Sequence, residues 1–352
     1  MKITANQVTV ARILALPFLA WALIERPEQP WMWVAFVVGT VVGATDFVDG
    51  WLARRQGPTV LGSLLDPVAD KLFIAMLLLP LVAHGECPGW AAGALFVREL
   101  LITSLRTSMA VRKESLKTSP LGKLKTVVQM GGIAAFYLAL FVKPVELMAK
   151  VQLACAVTMS VIALGVAIRK RGMPPAWLVG GAAMWMILAV ASFFLEPLES
   201  AFWIFMIMVG LTWVSGADYL WGAGRRILAS GLRTQDVTRA LWSVAHGLAL
   251  VPILDEHPAL VVPVIVSLSL ELSYGGVDNA VAAERARFAA SSVLPSTAVA
   301  AAVGICGWFA LVDDRTLGFL AWGLAAVSVA SFGVAVVRER AVFFAPDRPM
   351  AA

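Results

Sequence analysis

Apolar residues fall along this chain in long blocks, without the every-second-residue alternation of a strand and without the polar half of a surface helix. Blocks near 7–24, 31–53, 66–84, 89–111, 124–142, 148–168, 176–195, 201–221, 238–254, 258–282, 289–310 and 316–336 each approach the ~20 residues that a membrane-crossing helix needs. Pro, Gly and charged clusters punctuate them. The pattern predicts an all-α, polytopic transmembrane bundle of about twelve spans. A membrane barrel is excluded, because its strands alternate lipid-facing and lumen-facing residues.

Composition sharpens this. The chain has 352 residues, 60% hydrophobic and 14% charged, with mean hydropathy +0.82, where a soluble domain carries roughly a quarter charged residues. An ordinary soluble enzyme and a disordered chain are both excluded. Cys87, Cys155 and Cys306 lie too far apart for a disulfide scaffold or a cysteine metal site. No small-residue cleavage site follows the first apolar block, so a removable signal peptide is not expected.

Basic residues set the orientation. With the N-terminus inside, 21 of them, from Lys2, Arg54 and Arg55 through to Arg338, Arg340 and Arg348, fall on one side, and only Arg26, Lys143, Lys150 and Arg315 fall on the other. Both termini are therefore expected in the cytoplasm, of a cell inner membrane. The net charge of +5 then needs no nucleic acid to explain it.

One break in composition, the polar and basic stretch Trp221–Arg239, suggests a domain boundary near Ser230. Residues 229–352 read as a four-helix membrane extension and a candidate decayed repeat. At an offset of 229, Val48-Asp49 meets Val277-Asp278, while Asp46, Asp66 and Asp70 meet Gly275, Pro295 and Val299. A copy lacking three of four acids is expected to hold no second active site. Its remaining polar candidates are Asp278, Asn279 and Glu271.

Carboxylates at membrane depth cost roughly 2.5 kcal/mol or more, so each asks for a reason. Four cluster in the chain: Asp46-x-x-Asp49-Gly50-x-x-Ala53-Arg54, then seven residues, then Gly62-x-x-x-Asp66-x-x-x-Asp70. Spacings of three and four put each pair on one helix face. The intervening Arg55-Gln56-Gly57-Pro58-Thr59 reads as a tight turn, making the two helices antiparallel neighbours. Four converging acids need cations between them, and hard oxygen ligands suit Mg²⁺ or Mn²⁺ with a diphosphate supplying further oxygens. Gly50, Ala53 and Gly62 are small residues on those faces that let a flat ligand approach. This is the outline of a phosphoryl-transfer site.

These residues resemble the signature of the CDP-alcohol phosphotransferases, membrane enzymes that build phospholipid head groups. All eight fixed positions are present. The spacer is one residue shorter than the common form. The resemblance implies that Asp46, Asp49, Asp66 and Asp70 hold two divalent ions, that the ions grip the diphosphate of CDP-diacylglycerol, and that Asp49, Gly50, Ala53, Arg54 and Gly62 border the CDP moiety. It also implies that Asp70 deprotonates the acceptor hydroxyl, with CMP leaving, and that members pair as homodimers.

The acceptor is read from further stretches. Asn6 to Arg12, Arg98-Glu99, Arg106, Gly122-Lys123-Leu124-Lys125-Thr126 with Gln129, and Ser215 to Tyr219 resemble the branch that makes phosphatidylglycerophosphate from glycerol 3-phosphate. The resemblance runs over residues 1–228, with the helix pair near 148–195 as an insertion. Glycerol 3-phosphate is a dianion, and Arg106, Lys123 and Lys125 are the candidate cations for its phosphate.

Plainer readings stand beside these. Arg98 and Glu99 serve equally well as a structural pair, Arg112, Lys113 and Lys117 as a positive-inside anchor, and Arg12 as a snorkelling side chain. Tryptophans such as Trp31, Trp33 and Trp90 fit interfacial anchors. A sister transferase using serine or inositol phosphate, and a cation-coupled secondary transporter, remain the alternative functions.

Overall fold

The computed structural model describes residues 4–26, 29–57, 59–114, 120–141, 145–290 and 292–343. Within helices, some side chains lie outside the description, among them those of Asp46, Lys123 and Lys125. The described residues are helical throughout and contain no strand, as the apolar blocks predict.

The helices are α1 (Ala5–Glu25), α2 (Gln29–Gln56), α3 (Val60–Ala83), α4 (Gly89–Val111), α5 (Pro120–Phe141), α6 (Val145–Lys170), α7 (Ala176–Ala191), α8 (Pro197–Ala229), α9 (Thr234–Val244), α10 (Val261–Arg285), α11 (Leu294–Trp308) and α12 (Asp314–Phe343). Seven stretches among the described residues are long and apolar enough to cross a membrane: Ala5–Glu25, Val34–Gln56, Glu146–Lys170, Pro197–Ala229, Thr234–Asp255, Pro258–Arg285 and Asp314–Phe343. Helices α3 and α4 have the length, at 24 and 23 residues, but each carries three charged side chains. Those are Asp66, Asp70 and Lys71 on α3, and Arg98, Glu99 and Arg106 on α4. The two helices that depart most from a plain span are thus the ones that carry candidate chemistry.

The chain forms two compact units, residues 1–116 with 219–352, and residues 117–218. In the first, α1 packs against α2 and α3, and α10 packs against α3, α4 and α12. Its core combines leucines, Leu16, Leu19, Leu78, Leu79, Leu95 and Leu100 among them, with the buried aromatic rings of Phe96, Trp242 and Tyr274. Between helices in lipid, close packing replaces the hydrophobic drive, and small residues allow it. Gly43 faces Phe73, and a methyl group on Gly276 would sit 2.3 Å from Val68 Cγ2. In the second unit α6 and α7 pack together, α5 lies on α7, and Phe136 meets Phe205 edge to face.

One predicted span is not a continuous α-helix. The block near 238–254 is α-helical to Val244, then a π turn over Ala245–Ala249, then a 3₁₀ turn over Val251–Asp255. Pro252 has no N–H to give and its ring opposes the carbonyl one turn back, which disfavours the regular ladder here, although α1 and α3 run on through Pro17, Pro67 and Pro80. The widened turn also lets two glycines cross. A methyl group on Gly93 would lie 2.6 Å from the Gly247 carbonyl oxygen, and one on Gly247 would lie 2.7 Å from the Val97 nitrogen.

Candidate active site

The site is built from the start of α1, the end of α2 and the start of α3. The α2–α3 turn is short, as expected, but among the described residues the helices it joins are not packed as direct neighbours: each packs on α1, which brings their acids together. Helix α2 ends at Gln56, Gly57 turns at φ +90°, and Thr59 caps α3 by accepting the Gly62 N–H at 3.0 Å. Helix α1 is fastened to this turn. The Ala5 N–H donates to Gln56 Oε1 at 3.1 Å, and Asn6 Nδ2 to Thr59 Oγ1 at 3.2 Å. The motif glycines separate here. A methyl group on Gly62 would stand 3.0 Å from both Asn6 Oδ1 and Thr59 Oγ1, so the cap itself needs that glycine. One on Gly50 would meet only Arg54 Nη1, at an ordinary 3.5 Å, which leaves its face clear for a ligand.

Two residues of α1, one helical turn apart, then organise the acids. The Thr9 hydroxyl lies 3.2 Å from Asp49 Oδ2, 3.2 Å from Asp66 Oδ1 and 3.2 Å from the Ala5 carbonyl oxygen. Its single hydrogen cannot serve three acceptors at once. Arg12 places Nη2 3.3 Å from Asp49 Oδ2 and Nη1 3.4 Å from Asp70 Oδ1. Its side chain is 2% exposed, so it is turned inward to the acids and does not snorkel. Exposure ranks the acids: Asp49 is 5% exposed at its side chain and Asp70 is 37%. Asp66 and Asp70 are both half-buried, so both are more open than Asp49.

Around one hydroxyl and one guanidinium the site gathers three carboxylates, Asp49, Asp66 and Asp70, which are hard oxygen donors of the kind Mg²⁺ and Mn²⁺ take. Among the described residues, no group of three His, Cys, Asp or Glu side chains is assembled closely enough to hold a metal ion by itself. The fourth acid, Asp46, lies outside the described residues. The donor chemistry fits a hard divalent cation that shares its coordination with substrate oxygens and water.

Helix α4 adds a second polar layer. Lys71, beside Asp70, donates to the Thr103 hydroxyl, and Thr103 donates to the Glu99 carbonyl oxygen at 2.7 Å. Arg98 and Glu99, both buried, pair at 3.1 Å, so these long side chains reach one another even from adjacent positions. Arg106 is exposed, with its guanidinium 5.6 Å from the centre of the Tyr219 ring. Ala53 is half-buried and Arg54 exposed. The other two candidates for the acceptor phosphate, Lys123 and Lys125, lie outside the described residues.

Sequence reasoning did not assign Thr9 or Lys71 a role. The signal for Thr9 was its place three residues before Arg12, one face of one turn. In the C-terminal half the candidate acids are occupied within the fold. Asp278 accepts from Arg239 Nε and from the Ala289 N–H, both at 2.7 Å. Glu271 accepts from Trp242 Nε1 at 2.6 Å and Ser328 Oγ at 2.7 Å.

With this geometry in hand, comparison with known proteins is decisive. The family model for CDP-alcohol phosphatidyltransferase matches residues 2–165, which contain every acid of the site. A CDP-diacylglycerol–glycerol-3-phosphate 3-phosphatidyltransferase of Yersinia pestis (strain Pestoides F) is 37% identical over 134 residues, covering 36% of this chain and 71% of that protein. The chain belongs to the CDP-alcohol phosphatidyltransferase family. A second relative, named a probable phosphatidylglycerophosphate synthase, from Mycobacterium tuberculosis (strain ATCC 25618 / H37Rv), is 34% identical over 164 residues, 45% of this chain and 76% of its own. No solved structure matches the chain. The family match ends at residue 165, so the buried Arg239–Asp278 pair of the C-terminal part stands outside it.

Proposed function

We propose that this CDP-alcohol phosphatidyltransferase moves the phosphatidyl group of CDP-diacylglycerol to glycerol 3-phosphate, giving phosphatidylglycerophosphate and CMP. The observation that carries the reading is the joining of Asp49, Asp66 and Asp70 through Thr9 and Arg12, in a chain whose relatives bear that activity in their names.

Asp46, Asp49, Asp66 and Asp70 would hold two Mg²⁺ or Mn²⁺ ions. When bound, such ions neutralise the diphosphate and make CMP a better leaving group. The rest of the reaction belongs to the side chains. Asp70, one of the two more open acids, takes the proton of the acceptor hydroxyl. The acceptor oxygen forms a bond to the lipid-side phosphorus as that phosphorus releases the bridging oxygen, and the bonding pair leaves with CMP. Thr9 and Arg12 hold Asp49, Asp66 and Asp70 in place, so little reorganisation is needed when the substrates meet. Gly50, Ala53 and Arg54 border the CDP group, with Gly62 keeping the turn beneath it. Arg106, Lys123 and Lys125 receive the acceptor phosphate.

The same reading sets the protein across a cell inner membrane with about twelve spans, both termini and the active site on the cytoplasmic side, where 21 basic residues gather. Residues 1–228 form the transferase part, with an inserted helix pair near 148–195, and residues 229–352 an extension without a second active site. Pairing as a homodimer belongs to this reading. The test is CMP release by the purified protein with CDP-diacylglycerol, Mg²⁺ and a panel of glycerol 3-phosphate, serine, inositol and inositol phosphate. Release with glycerol 3-phosphate alone supports the reading. Release with another alcohol instead rejects the assigned acceptor, and release with none rejects the transferase.

A further inference from the structure

Outside the transferase motif, the first unit contains a cavity of about 530 Å³ between the start of α9, the end of α10 and the loop leading to α11. That volume lies in the range of small-ligand sites. Its polar lining is Arg233, Gln235, Thr238, Arg239, Arg287 and Ser292, and no acidic residue lines it among the described residues. Three guanidinium groups around one cavity are an unusual concentration of charge, and each is held differently.

Arg239 is the anchor. Its side chain is 5% exposed; Nε is bound to Asp278 at 2.7 Å, and the guanidinium carbon lies 4.0 Å from the centre of the Phe288 ring. Among the described residues this guanidinium takes one acceptor, through Nε, so the fork of Nη1 and Nη2 is left to the cavity it lines. A guanidinium fork whose Nε is already engaged can offer both remaining nitrogens to one anion that enters the cavity. Asp278 in turn takes the Ala289 N–H at 2.7 Å, so the same ion pair fixes the cavity's loop. Arg287 is locked from the other side by two 2.8 Å bonds to Glu339. Arg233 is exposed and makes no ion pair among the described residues.

A planar guanidinium fork held rigid by its Nε, with further cations and two hydroxyls around it, matches tetrahedral phosphate oxygens better than it matches any neutral group. We infer that this cavity binds a phosphate-bearing anion, with Arg239 as the buried fork and Arg233 and Thr238 at its mouth. The phosphate comes either from the headgroup of an anionic membrane lipid or from a soluble phosphate ester. The inference does not depend on the transfer reaction.

The test uses the full chain, in detergent and in phosphatidylcholine nanodiscs, and reads the thermal unfolding midpoint against inorganic phosphate. Nanodiscs with added phosphatidylglycerol form the lipid arm. Wild type, Arg233→Glu, the double variant Arg239→Gln/Asp278→Asn and Arg106→Gln are compared. The double variant removes both charges of the buried pair together, and Arg233→Glu touches an exposed side chain, so the fold is kept. The midpoint of wild type is expected to rise saturably with phosphate or with phosphatidylglycerol. The apparent affinity is expected to fall about tenfold or more in Arg233→Glu and in the double variant, and to persist in Arg106→Gln. A phosphate response abolished by phosphatidylglycerol names the lipid headgroup as the source, and one that survives it names a soluble ester. Stabilisation that is absent from wild type with both anions, equal in all variants, or lost only in Arg106→Gln overturns the site.

Discussion

Thr9 and Asp66 are 57 positions apart in the chain, yet the Thr9 hydroxyl stands 3.2 Å from Asp66 Oδ1. The same oxygen is 3.2 Å from Asp49 Oδ2, so one small side chain on α1 stands between an acid of α2 and an acid of α3. Replacing it by the isosteric valine keeps the volume and removes the donor. Thr9→Val is expected to lower kcat/KM about tenfold, with the thermal midpoint changed by only a few degrees. Unchanged kinetics with CDP-diacylglycerol and glycerol 3-phosphate would show that the hydroxyl does not position the acids.

Arg12 is the larger investment, a guanidinium 2% exposed between Asp49 and Asp70. Arg12→Gln leaves buried negative charge without its cation, and the expected loss is about 3 kcal/mol of stability together with activity. Arg12→Lys keeps the charge but loses the fork, and is expected to fall between the two. Unfolding in detergent, followed by heat or denaturant, separates these. A Gln variant as stable as wild type contradicts the buried placement.

The two motif glycines are expected to fail differently. Gly62→Ala pushes a methyl group against Asn6 and Thr59 at 3.0 Å, weakening the α3 cap by about 1 kcal/mol and lowering the thermal midpoint. Gly50→Ala meets nothing closer than 3.5 Å, so the fold is kept while the KM for CDP-diacylglycerol rises. If both variants lose stability and neither changes KM, Gly50 serves packing and not the nucleotide.

How much of this was legible in the sequence follows from the range of the forces involved. Helices and the short turn between α2 and α3 are local: apolar blocks, Gly57 and Thr59 encode them, and the turn falls where the pattern predicts. Among the described residues, however, seven stretches, not twelve, are long and apolar enough to span, and α2 and α3 each pack on α1. The acid motif was legible too, because its spacings of three and four already define helix faces. The direction of Arg12 was not. Whether a long basic side chain snorkels or turns inward depends on a helix 37 residues away, where Asp49 offers a carboxylate. The broken helix at 245–255 was missed for a similar reason. Gly247 is an ordinary residue of a span until the Gly93 backbone is known to cross it. The Arg239 cavity was likewise out of reach, since it needs α9, α10 and the α11 approach together.

That glycine crossing gives its own prediction. Gly247→Ala would put a methyl group 2.3 Å from Val97 Cγ2 and 2.7 Å from the Val97 nitrogen, a contact with backbone that cannot be relieved by a rotamer. The expected cost is about 1–3 kcal/mol, read as a lower thermal midpoint. The half-buried Gly318, with open space where a methyl group would sit, is the control, and Gly318→Ala is expected to leave the midpoint unchanged or slightly raised. Equal effects at the two positions would contradict the close crossing of α4 with the π turn.

The central claim is that the acids gathered by Thr9 and Arg12 carry out the transfer, with Asp70 as the base. The most direct measurement is the incorporation of labelled glycerol 3-phosphate into lipid by purified wild type and Asp70→Asn, each with Mg²⁺, with EDTA, and with Mg²⁺ restored. The account predicts labelled phosphatidylglycerophosphate from wild type, its loss in EDTA and its return with metal. In Asp70→Asn it predicts a fall in kcat of about a hundredfold or more at an unchanged thermal midpoint. An Asp70→Asn enzyme that turns over at the wild-type rate would contradict it.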